Sequence, residues 1–366
     1  MKVLHVGEYV KGGVATYLNE LLSYQTKDKN VNEVYLALSD KNSEKYFPLL
    51  QENTFRYKYS RSTIEIIPAI LNINKIIKYT NPDIIHVHST FAGFYVRLLM
   101  LLKKNRPKVV YTPHGWSFIM EIPKWKKKVF SYIERILSNS TDAIVNISMY
   151  EKMVADYYKI PCEKSYIIKN GIRKERRLYP LPFQFSKRKI NLLFIGRFDK
   201  AKGLDILMQF FNDNLMEYID LYLIGESVLE DTNTKIPKNV VELGWVDNKY
   251  IDSYISESDA VIIPSRWEGF GLIVLEAMKN SKAVIVSNRA ALPELVDHEE
   301  TGLIFDLDDM NSLKSLLQSV SKEKLREMGK NGFCEFSRKF TSERMNKEYI
   351  NLYKEISFGL PNCNKR

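Results

Sequence analysis

The chain has 366 residues, 45% hydrophobic, 27% charged and 12% aromatic, a composition that excludes wholesale disorder. Single cores stop growing near roughly 250–300 residues, so two domains are expected. The net charge of +10 is unevenly spread, with 29 Lys and Arg against 16 Asp and Glu in residues 1–180 and 25 against 28 in residues 181–366, so the first half asks for an anionic partner.

The opening MKVLHVGEYV has no basic stretch ahead of a long apolar run, so no signal peptide is expected. Short β-branched runs, apolar on both faces as in helix-covered strands, follow at Val3–Val6, Val34–Leu38, Ile84–Val87, Val109–Tyr111, Ala143–Ile147 and Tyr166–Ile168. Helical patterns separate them at about 14–25, 64–80, 89–104, 124–138 and 148–158. The longest apolar run, Phe91–Leu102, carries Arg97 and falls short of the roughly 20 residues a membrane span needs. Residues 173–190, RKERRLYPLPFQFSKRKI, hold two prolines and no clean period, and read as a linker. Strand runs resume at Asn191–Ile195, Leu221–Ile224, Val240–Leu243, Ala260–Ile263 and Ala283–Val286. Helical patterns follow at about 203–217, 248–256, 272–280, 310–319 and 322–338. The alternation predicts two doubly wound parallel α/β sheets, in residues 1–180 and 181–340. The tail, about 341–357, reads as a helix; its residues leave its place open, and a return to the first domain is the expectation. Cys162, Cys334 and Cys363 are far apart and form no CxxC, which fits a reducing cytoplasm.

Ligands of such sheets collect beyond the carboxyl ends of the strands. After Ala260–Ile263 comes Pro264-Ser265-Arg266-Trp267-Glu268-Gly269-Phe270-Gly271-Leu272, which opens a helix carrying Glu276. Glycines there permit close approach of a ligand, and free N–H groups at a helix start suit an anion. Glu268 and Glu276 can accept hydrogen bonds from a polyol at separate points; alone, such a pair is more often solvated surface. After Asn191–Ile195, Arg197 and Lys202 flank a loop and can hold a diphosphate. In the first half, Gly12-Gly13 precede a helix, and His114 follows the strand Val109–Tyr111. His86 and His88 share a strand face and read mainly as lining.

The spacing of Glu268 and Glu276, filled by Gly-Phe-Gly-Leu, resembles the E-x7-E motif of retaining glycosyltransferases, in particular glycosyltransferase family 4. Gly196-Arg197 to Lys202-Gly203, Gly225-Glu226, Leu243-Gly244, Tyr111-Thr112-Pro113-His114-Gly115 and Asn170-Gly171-Ile172 match in the family's order. The resemblance implies the GT-B fold, two Rossmann-like domains facing across a cleft that closes near Asn170–Ile172. It implies that Glu268 contacts sugar hydroxyls and Glu276 the ribose. Arg197 and Lys202 would hold the donor phosphates in place of a metal, and His114 would lie beside the transferring sugar. Gly12 and Gly13 would approach the donor phosphate or the acceptor, and Gly244, Phe270, Gly271 and Leu272 would line the donor. Ala290 and Ala291 depart from the family's Gly-Gly before Pro293-Glu294. Asp306-Leu307-Asp308 mimics a metal motif, but Asp308 or Asp309 reads more simply as a helix cap. No cofactor and no essential metal are expected. The donor is expected to be a UDP-sugar carrying a hexose or N-acetylhexosamine, and the acceptor a lipid-diphosphate-linked saccharide of capsule, O-antigen or exopolysaccharide assembly.

The segment Pro123–Leu137 sets Trp125, Val129, Tyr132, Ile133 and Ile136 at helical spacing beside Lys124, Lys126, Lys127 and Lys128. Either this helix faces the core, or it rests on an anionic membrane surface, which would place the protein on the inner face of the cell membrane. Nucleic acid is set aside, because no binding motif is present and Glu268 and Glu276 would have no role. A nucleotide-sugar epimerase of the same fold and a non-catalytic nucleotide-sugar-binding partner stay open as alternatives.

Overall fold

The computed structural model describes residues 1–226 and 236–359. Cys363 lies outside them. The chain forms two compact units, Met1–Arg173 with the segment from Ser342, and Lys174–Thr341.

The first unit holds a seven-stranded parallel sheet of β1 (Lys2–Gly7), β2 (Glu33–Ser39), β3 (Thr54–Tyr57), β4 (Ile84–His88), β5 (Lys108–Thr112), β6 (Ala143–Asn146) and β7 (Ser165–Ile167), in the order β3-β2-β1-β4-β5-β6-β7. Alternate residues of one strand supply opposite cores. Leu4 and Val6 pack with the helices Ile66–Thr80 and Thr90–Leu101, while Val3 packs with the helix Gly13–Gln25. That second core also takes Met345, Tyr349, Leu352 and Tyr353 of the helix Ser342–Phe358. Arg344 fastens this helix to the Asn170-Gly171-Ile172 turn by donating to the carbonyls of Lys169 (2.7 Å) and Asn170 (3.0 Å).

The second unit holds a six-stranded parallel sheet of β8 (Ile190–Ile195), β9 (Ile219–Ile224), β10 (Val240–Gly244), β11 (Ala260–Ile263), β12 (Ala283–Ser287) and β13 (Gly302–Phe305), in the order β10-β9-β8-β11-β12-β13.

Two features differ from expectation, and a third decides between open alternatives. Residues 174–180 pack with the second unit rather than the first: the Arg177 amide donates to Asp252 and the Tyr179 amide to Ser253. Two four-residue edge strands, β3 and β13, escape the strand pattern, being short and flanked by turns. The helix Lys124–Leu137 turns its apolar stripe outward: Trp125 is 63% and Tyr132 59% exposed, with Val129 and Ile136 also exposed. Its buried residues are Ser131, Glu134 and Leu137. Beneath it Arg97 is fully buried, paired to Glu134 at 2.7 Å, with its guanidinium 3.7 Å from the centre of the Tyr111 ring. A buried guanidinium demands a carboxylate, and this pair dictates which side of the helix faces in.

Candidate active site

Each sheet reverses its order once, between β1 and β4 in the first unit and between β8 and β11 in the second. Such switch points are where ligands bind, beyond the carboxyl ends of the strands. Sequence-predicted residues sit at both.

In the second unit, β8 leads to Arg197 and β11 to Glu268. Gly203, at φ 71, packs so closely on Pro264 that a Cβ would lie 1.9 Å from its carbonyl oxygen. That contact pins the loop after β8 against the loop after β11, and the Lys202 ammonium meets the Glu268 carboxylate in an ion pair. Arg197 does not join them; it is exposed and pairs with Asp199 at 3.0 Å. Asp199 also accepts from the Lys202 amide at 3.0 Å. Arg266 braces the loop from outside, forking onto Asp205 through two bonds of 2.7 Å.

Gly271, at φ 97, caps the helix Leu272–Lys279, and a Cβ there would press within 2.9 Å of Leu292. The Phe270 side chain is buried beside Phe340, so its part in a donor site would fall to its backbone. Leu272 is half-buried. Gly244 ends β10, and its carbonyl accepts from the Gly225 amide at 3.0 Å. Glu276 is half-buried, and loss of water pushes its carboxyl up to about 7, with Lys279 opposing the shift and Asp252 adding to it. A carboxyl so poised can donate or accept a hydrogen bond near neutral pH. Asp309 caps the following helix by accepting from Asn311, and Asp308 pairs with Arg289, so Asp306-Leu307-Asp308 serves the turn.

In the first unit, Gly12 caps the helix Gly13–Gln25 without a side-chain bond, leaving its first N–H groups uncapped by side chains. His114 is half-buried and held at φ 54, in the left-handed region. Buried Glu151 fixes the turn by accepting from the Gly115 amide (2.6 Å) and the Ile147 amide (2.9 Å). His114 Nε2 lies 3.1 Å from His88 Nδ1, and His88 Nε2 lies 3.1 Å from His5 Nδ1. His5 Nε2 meets Gln25 Oε1 at 2.8 Å. His86 bonds Tyr353 (2.6 Å) and Thr112 (2.9 Å). Burial lowers all four histidines, His5 to about 4 and His114 to about 3, so the rings are neutral at ordinary pH. The ring nitrogens of His5, His86 and His88 lie within 4.8 Å of one another, near enough to share a cation. Sequence reasoning missed His5, Gln25 and Glu151. The register of β1 on β4, which sets His5 beside His86, is the signal it lacked.

Two family models cover most of the chain. One described as "Glycosyltransferase Family 4" matches residues 11–176, and one described as "Glycosyl transferases group 1" matches residues 180–333. The matches and the two parallel-sheet, Rossmann-like domains define a GT-B glycosyltransferase. The chain belongs to the glycosyltransferase family these models describe. It is 38% identical to an uncharacterized 41.2 kDa protein in the cps region of Klebsiella pneumoniae, over 97% of this chain and 99% of that one. It is 27% identical to an Escherichia coli UDP-Gal:alpha-D-GlcNAc-diphosphoundecaprenol alpha-1,3-galactosyltransferase, over 74% of each chain. Among solved structures, its fold matches sucrose-phosphate synthase from Thermosynechococcus elongatus (TM-score 0.80, 18% identity, 98% of this chain and 100% of that one). Anabaena HepE in complex with UDP also matches (TM-score 0.79, 16% identity, 97% and 100%).

Proposed function

We propose that this protein transfers a sugar from a UDP-sugar to a lipid-diphosphate-linked saccharide in capsule or O-antigen assembly, with retention at the anomeric carbon and without a metal. The observation that carries the reading is the Lys202–Glu268 ion pair at the switch point of the second sheet, beside exposed Arg197. A diphosphate brings the negative charge that Lys202 and Arg197 now find in Glu268 and Asp199. Exchange of such exposed or half-exposed partners costs little. Lys202 and Arg197 would then stabilise the departing diphosphate, while Glu268 accepts from sugar hydroxyls and Glu276 from the ribose. His114 would accept from a hydroxyl of the sugar. In support, one relative above is named for a UDP-Gal donor and a diphosphoundecaprenol-linked acceptor, and another is encoded in a cps region.

The acceptor side follows from the exposed stripe of the helix Lys124–Leu137. Apolar Trp125, Val129, Tyr132 and Ile136 face solvent, with Lys124, Lys126 and Lys128 exposed among them and Leu102 exposed nearby in sequence to Lys103 and Lys104. Apolar groups interleaved with cations fit an anionic bilayer. Among the described residues no helix is long and apolar enough to cross a membrane, so the contact would be peripheral, on the inner face where nucleotide sugars are made available.

The test is to incubate the protein with UDP- and GDP-sugars, lipid-diphosphate acceptors and EDTA, then read products by mass spectrometry and the anomeric configuration by NMR. A single added sugar in the α configuration of the donor is expected. An epimerised donor alone would mean an epimerase, and bound nucleotide without product a binding partner. On vesicles containing anionic lipid, a variant with Lys124, Lys126, Lys127 and Lys128 changed to Gln should lose most binding, at about 1 kcal/mol for each lysine. Equal binding by the variant would sink the membrane reading.

A further inference from the structure

Four of the five histidines in the chain belong to one hydrogen-bonded cluster at the first sheet's switch point. His5, His86, His88 and Gln25 are fully buried. A neutral imidazole has one N–H and one bare nitrogen, so each bond in a chain of rings dictates the next. The chain begins at Gln25. Its Nε2 donates to the Tyr353 hydroxyl at 3.4 Å, which turns Oε1 toward His5. Oε1 can only accept, so His5 carries its proton on Nε2 and leaves Nδ1 bare. His88 must then donate from Nε2 to His5 Nδ1, leaving its own Nδ1 bare. His114 must in turn donate from Nε2 to His88. Nδ1 of His114 is the last nitrogen, and among the described residues it has no hydrogen-bond partner.

We propose that Gln25, His5 and His88 are positioning residues that hold His114 as its Nε2–H tautomer and present Nδ1 as a bare acceptor to a substrate hydroxyl. The inference rests on the reading that His114 serves the sugar. The helix Ser342–Phe358 takes part through Tyr353, which orients Gln25 and also bonds His86. Tyr17, whose ring lies 4.6 Å from the His114 ring, and the left-handed backbone at His114 keep the imidazole from rotating out of line. A hydroxyl offered to Nδ1 would be held by its hydrogen, with its oxygen free for further bonds. In the opposite tautomer His114 would present an N–H and compete for the same oxygen.

The full-length protein, labelled with 15N-histidine and free of substrate, tests this directly. Ring-nitrogen shifts assigned with single His→Gln variants should show Nε2–H and bare Nδ1 at His5, His88 and His114. An Nδ1–H tautomer at His114 overturns the proposal. So does stoichiometric zinc that survives purification and is lost with His5→Gln, because the same nitrogens would then be metal ligands. Gln25→Met removes the anchoring acceptor at similar volume. It should mix the His114 tautomers and lower kcat by up to about tenfold, what the loss of one hydrogen bond to the substrate costs, while KM for the nucleotide sugar stays within twofold. An equal fall in kcat and folded fraction, with the tautomers unmixed, would show a merely structural role and overturn it. His114→Ala separates the two readings. If it leaves turnover unchanged, His114 does not serve the sugar and the chain has no purpose, even where the tautomers are as stated.

Discussion

The carboxyl edges of the two sheets have the same architecture and opposite chemistry. At the first, between β1 and β4, the functional groups are neutral rings and hydroxyls, sealed from water and bonded to one another: His5, His86, His88 and Thr112. At the second, between β8 and β11, they are ions in partly wet pairs: Lys202 with Glu268, Arg197 with Asp199, Arg266 with Asp205. Water explains the difference. A dry edge drives imidazoles to their neutral form, because an unpaired buried charge costs several kcal/mol. A wet edge tolerates ions and lets a charged ligand replace a partner. One cation of the first unit, Arg61, reaches its edge and pairs at 3.0 Å with Glu8, buried just after β1. Much of the first unit's basic excess lies instead on outer surface, at exposed Lys104, Lys124, Lys126 and Lys128.

The comparison is broken most forcefully where the dry unit does hold a charge. Arg97 is buried and depends on Glu134. Glu134→Ala should cost about 3–5 kcal/mol, because it strands a guanidinium in the core. Urea unfolding measures it, and a loss under 1 kcal/mol would mean that water reaches Arg97. On the wet edge the loss should be in chemistry instead. Lys202→Ala should lower kcat/KM about 100- to 1,000-fold, as for loss of one donor to a developing anion, and shift stability by less than about 1 kcal/mol, since the Lys202–Glu268 pair is partly exposed. Unchanged turnover would remove the phosphate assignment.

Glu276 tests the boundary between the two regimes. Burial raises its folded pKa to about 7, above the ordinary 4.5. Between those values the folded form keeps a proton that the unfolded form releases. Its contribution is therefore full below pH 4.5 and lost as pH rises through 7. Glu276→Gln removes that loss and should be more stable than the parent by about 2 kcal/mol at pH 8, and no more stable at pH 4. The same variant should bind UDP-sugar more weakly by calorimetry. A stability gap equal at both pH values would place the Glu276 carboxyl in water.

The wet edge is legible in the sequence because its groups lie in two short strings, 195–203 and 264–276, each following a strand. The dry edge is only partly so. His86, His88 and His114 stand out in the sequence, but His5 and Gln25 do not, and it takes the pairing of β4 with both β1 and β5 to bring the cluster together. Helix Lys124–Leu137 shows the same limit. Its apolar period is plain, but the direction of the stripe depends on Arg97, which is remote in sequence from Glu134 and set beneath it by the fold. Phe270 lies within a legible motif, yet its side chain goes to the core, because spacing does not tell which way a loop residue points.

The smallest effect concerns strain, which both edges store. His114 at φ 54 and Ala290 at φ 51 are non-glycine residues in the left-handed region, one beyond β5 and one beyond β12. For an L-residue that backbone costs about 1–2 kcal/mol. At His114 a side chain with hydrogen-bonding work to do offsets the cost. At Ala290 a methyl group offers no such return, and the related motif has glycine. Ala290→Gly relieves the strain but adds freedom to the unfolded chain, worth about 0.5–1 kcal/mol. The net expectation is a gain of about 0.5 kcal/mol in urea unfolding. If the variant is instead less stable by more than about 1 kcal/mol, the Ala290 methyl is packed rather than merely tolerated.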